Sequence, residues 1–361
     1  MILNIQHLRA WAALAVVFFH MAPHFKNTSS FFSPFFNFIH QFGYAGVDVF
    51  FVISGYVIWI SSSRQGKRKT PLHFLYNRAA RIYMGYWPYF IFLCLLLWFL
   101  DTSKFTDVNF ISSFFLTELN MVNLLLKVTW TLVYEMYFYV LFAFLLLLPS
   151  RLLPKALLVF ALAIVLIQSI AIFKYDIYSV ENFPYTSHFY TFFFSPFCLQ
   201  FLSGCAIGMF FEHFRLKHLT ATLTAAMLVF IFTLWYQNTY ILPNGLLAQG
   251  YYMPERTALF GVFAMLLVAG AIETELRGTR FLPRFSRLFG GASYSIYLSH
   301  IPILFVFGQM GLMTVMKNHD WLLQLAPVII LASISIYSIV HHLWIEKPLL
   351  KMTKRLEKSL F

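Results

Sequence analysis

Two ionisable side chains sit eleven residues apart in the first apolar run of the chain: Arg9 and His20 of HLRAWAALAVVFFH. On a helix that separation is about 1100°, roughly 20° past three full turns, so both occupy one face, on the order of 16 Å apart along the axis. An imidazole can take a proton from a hydroxyl or act as a nucleophile. Such groups stacked on one stripe of a membrane helix are costly in lipid and mark a pathway or a site facing a polar cavity. The plainer alternative is that Arg9 snorkels to an interface and His20 is a satisfied core histidine. More candidates follow along the chain: Asp48 in GYAGVDVFFVISGY, Glu135 in WTLVYEMYFYVLF, His300 in SYSIYLSHIPIL, and the pair Arg78 and Arg81 in NRAARIY. The i, i+3 spacing puts that pair on one helix face, where two guanidiniums suit bidentate contacts with phosphate. A lipid-headgroup contact or a topology signal accounts for them equally well.

The elements that must position these residues are membrane helices. Of 361 residues 60% are hydrophobic, 20% aromatic and only 11% charged, and the mean hydropathy is +0.71. A soluble domain carries about a quarter charged residues. Apolar runs suited to spans of roughly 20 residues recur along the chain. They predict an all-α, polytopic transmembrane bundle of ten spans, at about 5–22, 44–62, 83–100, 130–149, 156–173, 192–211, 219–236, 255–272, 289–308 and 321–344. The stretch 110–127 is apolar but carries Glu118, Asn120 and Asn123, which predicts an interfacial or re-entrant helix, with an eleventh span as the alternative.

The net charge of +12 comes from lysines and arginines concentrated in short loops. With the N-terminus inside, 20 of the 26 fall on the inner side and 6 on the outer, so both termini are expected to be cytoplasmic. An eleventh span would upset that tally. The same reading makes nucleic acid an unneeded partner and membrane lipids the expected surroundings. Cys94, Cys198 and Cys205 all lie in apolar runs and read as small hydrophobes, with no disulfide framework and no metal site. Neither GxGxxG nor GxxxxGK[ST] occurs, so no nucleotide fingerprint of those kinds is present. No removable signal peptide is expected, and the outer loops 174–191 and 237–254 are too short to form a domain. One membrane domain, 1–361, is expected.

Alternating spans set the depths. Arg9 falls near the inner face, His20 in the outer half of span one, Asp48 near the outer end of span two and Glu135 one to two turns from the outer end of span four. His300 falls in the middle or outer half of span nine. Two histidines and two carboxylates at one depth reduce each other's cost if they pair or share a wet cavity. At the inner face Arg64, Lys67, Arg68, Lys69, Arg78 and Arg81 form a basic mouth. One chemistry uses both ends: acyl transfer from a cytoplasmic, phosphate-bearing thioester to a hydroxyl on the other side. A histidine then takes the hydroxyl proton while a carboxylate fixes its tautomer and stabilises the imidazolium. The pantetheine arm of coenzyme A supplies a reach comparable with the Arg9–His20 separation.

The chain resembles the acyltransferase-3 family of integral membrane acyltransferases over nearly its whole length. The resemblance rests on Arg9-x10-His20, GVDVFFVISGY at 46–56, RAARIY at 78–83, WTLVYEMYFYVLF at 130–142, SYSIYLSHIP at 293–302 and IEKP at 345–348. The fourth motif is similar to the branch that decorates bacterial exopolysaccharides. The resemblance implies a catalytic role for His20 with Arg9 as companion. It places the motif acids on Asp48 and Glu135 and acyl-CoA phosphate contacts on Arg78 and Arg81, and it leaves His300 at a position of unsettled role. It implies an acyl-CoA co-substrate, acetyl first among the possibilities, no bound cofactor, a glycan or lipid-linked sugar acceptor, and a multi-pass place in the bacterial inner membrane. Two departures from the family pattern stand out: Met136 where many members carry a second acid, and Met84-Gly85 where many carry a proline. Some members carry an added esterase-like domain, and this chain ends soon after its last span.

The rival reading is a proton-coupled transporter or flippase of a sugar or lipid-linked sugar, which also uses intramembrane ionisable groups. Transporters often show paired halves with matching broken helices, and no such internal symmetry is visible here.

Overall fold

The computed structural model describes residues 2–28, 30–62, 70–175, 192–241 and 254–360. The basic residues Arg64, Lys67, Arg68 and Lys69 lie outside these, as do most of the two outer loops. In the described residues all regular structure is helical: α1 Leu3–Phe25, α2 Ser33–Ile39, α3 Gly46–Ser62, α4 Pro71–Leu100, α5 Phe110–Phe114, α6 Trp130–Leu145 and α7 Leu153–Tyr175. Then come α8 Phe197–His213, α9 Leu219–Tyr236, α10 Pro254–Leu276, α11 Pro283–Gln309, α12 Leu312–Lys317, α13 Asp320–His341 and α14 Lys347–Leu360. A π-helical turn, His342–Glu346, joins α13 to α14.

Nine of these stretches are long and apolar enough to cross a membrane, and the chain is a multi-pass membrane protein. The tenth expected span, 192–211, forms α8, which has 17 residues and is about 26 Å long, just enough for a thin hydrocarbon core. Directions bear on it. Asn4 Oδ1 accepts from Phe281 N–H, His7 pairs with Ser286, and His20 with His300, so α1 and α11 run the same way. An alternating chain gives that result if α8 also crosses and if nothing between α4 and α6 does.

The stretch 110–127 is not one helix. Asn109 caps α5, its side chain accepting from Ser112 N–H at 3.1 Å. The helix closes within two turns because Leu116 takes a left-handed backbone (φ 53°), and Thr117 N–H bonds back to Ser112 O at 2.8 Å. Asn120 then caps a second short turn. Hydroxyls of Tyr83 and Tyr86 and the Trp87 indole, all on α4, donate to the carbonyls of Phe115, Ser113 and Phe114. The one helix expected here, interfacial or re-entrant, is replaced by this tied-down, broken segment, and the segment is not among the stretches long and apolar enough for the alternative eleventh span.

The chain divides into two compact units. One holds Met1–Val47, Asn77–Val133 and Arg280–Phe361, the other Asp48–Tyr76 and Tyr134–Thr279. In the first, α1 packs along α11 and α11 along α13. Gly290 permits the first contact: a Cβ there would lie 2.3 Å from Gln6 O. In the second, α8 packs on α7 and α10, and α9 on α10. There Gly55 and Gly204 face each other's helices so closely that Cβ atoms would lie 1.9 Å from Phe201 O and 2.0 Å from Val52 O. Small residues at a helix crossing replace the hydrophobic driving force that lipid cannot supply.

Candidate active site

In the first unit α1 is continuous through both Arg9 and His20, so the roughly 16 Å separation along one face holds. Arg9 is half-buried. His20 Nδ1 lies 3.0 Å from Val16 O, one turn back on its own helix, and 3.3 Å from His300 Nε2. The two imidazoles have centroids 4.9 Å apart at 48°. His300 is fully buried. Its turn of α11 is pinned from both sides: Tyr297 OH donates to Val128 O at 2.8 Å, and Ser299 Oγ meets Ser338 Oγ at 2.7 Å. A backbone carbonyl and a second histidine thus occupy the place expected for a carboxylate on His20.

A second polar cluster of the same unit lies further along α11 towards its N-terminus. Glu346, in the π-helical turn, is 0% exposed. Its Oε1 receives Arg81 Nη1 in an ion pair, and its Oε2 receives His342 Nδ1 at 2.8 Å and Ser295 Oγ at 3.0 Å. Since Ser295 gives its proton to the carboxylate, His341 Nδ1, 3.3 Å from Ser295 Oγ, is the donor of that contact. The Arg81 guanidinium also lies over the Tyr294 ring at 5.6 Å, and its side chain keeps 31% exposure. Arg78, one turn earlier on the unbroken α4, is half-buried. The predicted arginine pair therefore shares a face, with one member anchored to a buried carboxylate. Glu346 is the acid of the IEKP motif, a functional residue that the motif does not mark as one. The usable signal was an ionisable residue four places after His342 in an apolar helix.

The two motif acids belong to the second unit and have partners there. Asp48, 0% exposed and in the first turn of α3, accepts from Gln200 Nε2 at 2.5 Å on Oδ1 and from Arg256 Nη2 at 2.9 Å on Oδ2. Gln200 Nε2 also donates to Thr257 O at 3.0 Å. The Arg256 guanidinium sits between the rings of Phe197 and Phe260, 5.9 and 5.5 Å from their centroids. Arg256, two residues past the outer loop 237–254, is thus the counter-ion of Asp48. Glu135 Oε1 accepts from Ser54 Oγ at 2.8 Å and from Tyr139 OH. The structure thus brings His20 to His300 and Arg81 to Glu346, and gives Asp48 and the Oε1 of Glu135 hydrogen-bond partners inside their own unit.

This geometry offers a histidine with an oriented ring and, elsewhere in the same unit, an anchored guanidinium. Residues 2–340 match the family model described as an acyltransferase domain. The chain is similar to the exopolysaccharide production protein ExoZ of Rhizobium meliloti strain 1021, with 28% identity over 325 residues, covering 86% of this chain and 92% of the relative. No solved structure matches the chain.

Proposed function

This chain belongs to the acyltransferase-3 family, and from that premise we propose that it moves an acyl group, acetyl first, from cytoplasmic acyl-CoA to a hydroxyl of an exported or cell-surface glycan. The similarity to an exopolysaccharide production protein supports a polysaccharide or its lipid-linked precursor as acceptor. The proposal places the whole chain, as one acyltransferase domain, in the bacterial inner membrane with both termini cytoplasmic, as the 20-to-6 distribution of lysine and arginine favours.

One observation carries the residue assignment. Val16 O can only accept, so the His20 nitrogen bonded to it, Nδ1, holds a proton. The lone pair of neutral His20 is then on Nε2, and Nε2 is the atom that takes the proton of the attacking hydroxyl. Arg9 lies on the same helix face to meet negative charge on the donor side. Arg78 and Arg81 receive the acyl-CoA phosphates, Arg81 with the edge of its guanidinium that Glu346 leaves unused. Asp48 and Glu135 support the reaction as the anions around which Arg256, Gln200, Ser54 and Tyr139 are arranged. Transfer of label from radioactive acetyl-CoA to membrane glycans, in wild type and His20→Ala, tests the reading.

A further inference from the structure

His20 Nδ1 has one proton and two neighbours. Val16 O draws it at 3.0 Å, and His300 Nε2 faces it at 3.3 Å. Because His20 provides the hydrogen, His300 Nε2 must present its lone pair, and neutral His300 carries its proton on Nδ1. We propose that His300 is the positioning residue of the reaction: its Nε2 holds the His20 ring and stabilises the cation that His20 becomes, the part expected of a carboxylate. The inference rests on the acyltransferase reading above and adds to it.

The acceptor oxygen attacks the thioester carbonyl carbon, a C–O bond forms, and the hydroxyl proton passes to His20 Nε2. His20 is now an imidazolium with both nitrogens protonated, and its Nδ1–H bond to His300 Nε2 becomes charge-assisted and stronger. Collapse of the tetrahedral intermediate breaks the C–S bond, and His20 Nε2 returns the proton to the departing thiolate. Ester and coenzyme A thiol are formed, and both histidines end neutral.

Physical chemistry favours an imidazole in this place. A carboxylate partner would put a permanent charge beside His20 inside the membrane, and such charges are expensive there. A neutral imidazole costs less at rest and responds only when the cation forms. Full burial of His300 keeps water from competing for its lone pair. The ring is also not needed as a strut, because Tyr297 and Ser299 tie this turn to Val128 and Ser338.

Two substitutions of similar volume separate the role from packing. His300→Gln keeps an acceptor, its amide oxygen, whereas His300→Met keeps none. In the full-length protein in membranes, with radiolabelled acetyl-CoA as donor and membrane glycans as acceptor, His300→Met should lower the saturating rate on the order of 100-fold. The KM for acetyl-CoA should stay within about threefold, and His300→Gln should recover at least about tenfold of the lost rate. Equal rates for the two variants would overturn the proposal. So would wild-type turnover in His300→Met beside an inactive His20→Ala, which would leave the acyltransferase reading standing. Wild-type turnover in His20→Ala would remove both. Thermal melting reports folding. If His300→Met does not fold, His300→Asn replaces it, since its shorter amide cannot reach Nδ1 and must show the same deficit against His300→Gln.

Discussion

The Glu346 carboxylate is completely buried, while the Arg81 side chain that pairs with it keeps 31% exposure. The anion is thus the fixed partner, held also by His342 and Ser295, and the cation is the one that can reach out. Removing one member of a buried pair costs more than the pair's own attraction, because the other charge is left uncompensated. Glu346→Ala is expected to destabilise the protein by about 3 kcal/mol, the lower end of the range because Arg81 is partly solvated. Ser295→Ala, which removes a single hydrogen bond, is expected to cost about 1–2 kcal/mol. Thermal unfolding of purified protein checks both, and equal melting temperatures for wild type and Glu346→Ala would contradict the assignment.

Asp48 and Arg256 give a sharper test, since both are buried. Arg256→Met leaves the Asp48 anion with Gln200 alone and is expected to cost about 3–5 kcal/mol. Adding Asp48→Asn removes the orphaned charge, so the double variant should be more stable than Arg256→Met by at least about 1 kcal/mol. Additive losses in the melting series would mean that the two groups do not depend on each other.

Gly290 links helix packing to the chemistry. A methyl at this position would collide with Gln6 O, forcing α11 away from α1, and the same two helices carry His300 and His20. Gly290→Ala is expected to lower acyl transfer on the order of tenfold or more, because displacements near 1 Å in a reacting constellation can cost that much. Parallel thermal melts separate this from unfolding. Wild-type turnover in a variant that folds would show that α11 can move without disturbing the histidines.

Much of this was legible in the sequence because a membrane simplifies the reading. Apolar runs marked the helices, and the cost of burying charge marked Arg9, His20, Asp48, Glu135, Arg78, Arg81 and His300 as residues with partners. What the residues could not reveal was who the partners are. Asp48 and Glu135 were read for their depth, and depth does not name the partners they have inside their own unit, Gln200 and Arg256 for the one and Ser54 and Tyr139 for the other. Arg256 lies 208 positions from Asp48, and as an arginine at the end of an outer loop it looked like an ordinary flank. Glu346 was hidden for the opposite reason, since it follows an apolar helix directly and passes for the start of the basic tail. The segment 110–127 misled because hydropathy weighs Asn120 as a mild interruption, whereas Asn109 and Asn120 each start a separate short turn and the left-handed backbone of Leu116 ends the first. The His20–His300 contact, 280 residues apart in the chain, required the parallel packing of α1 and α11, which no local pattern encodes.

His20 is the centre of the proposed chemistry, and one comparison tests it: incorporation of radiolabel from acetyl-CoA into membrane glycans by wild type and by His20→Ala at equal expression and equal melting temperature. If His20 is the base, label appears with wild type and falls by at least about 100-fold in the variant. Equal incorporation by the two, in cells lacking other glycan acyltransferases, would contradict it.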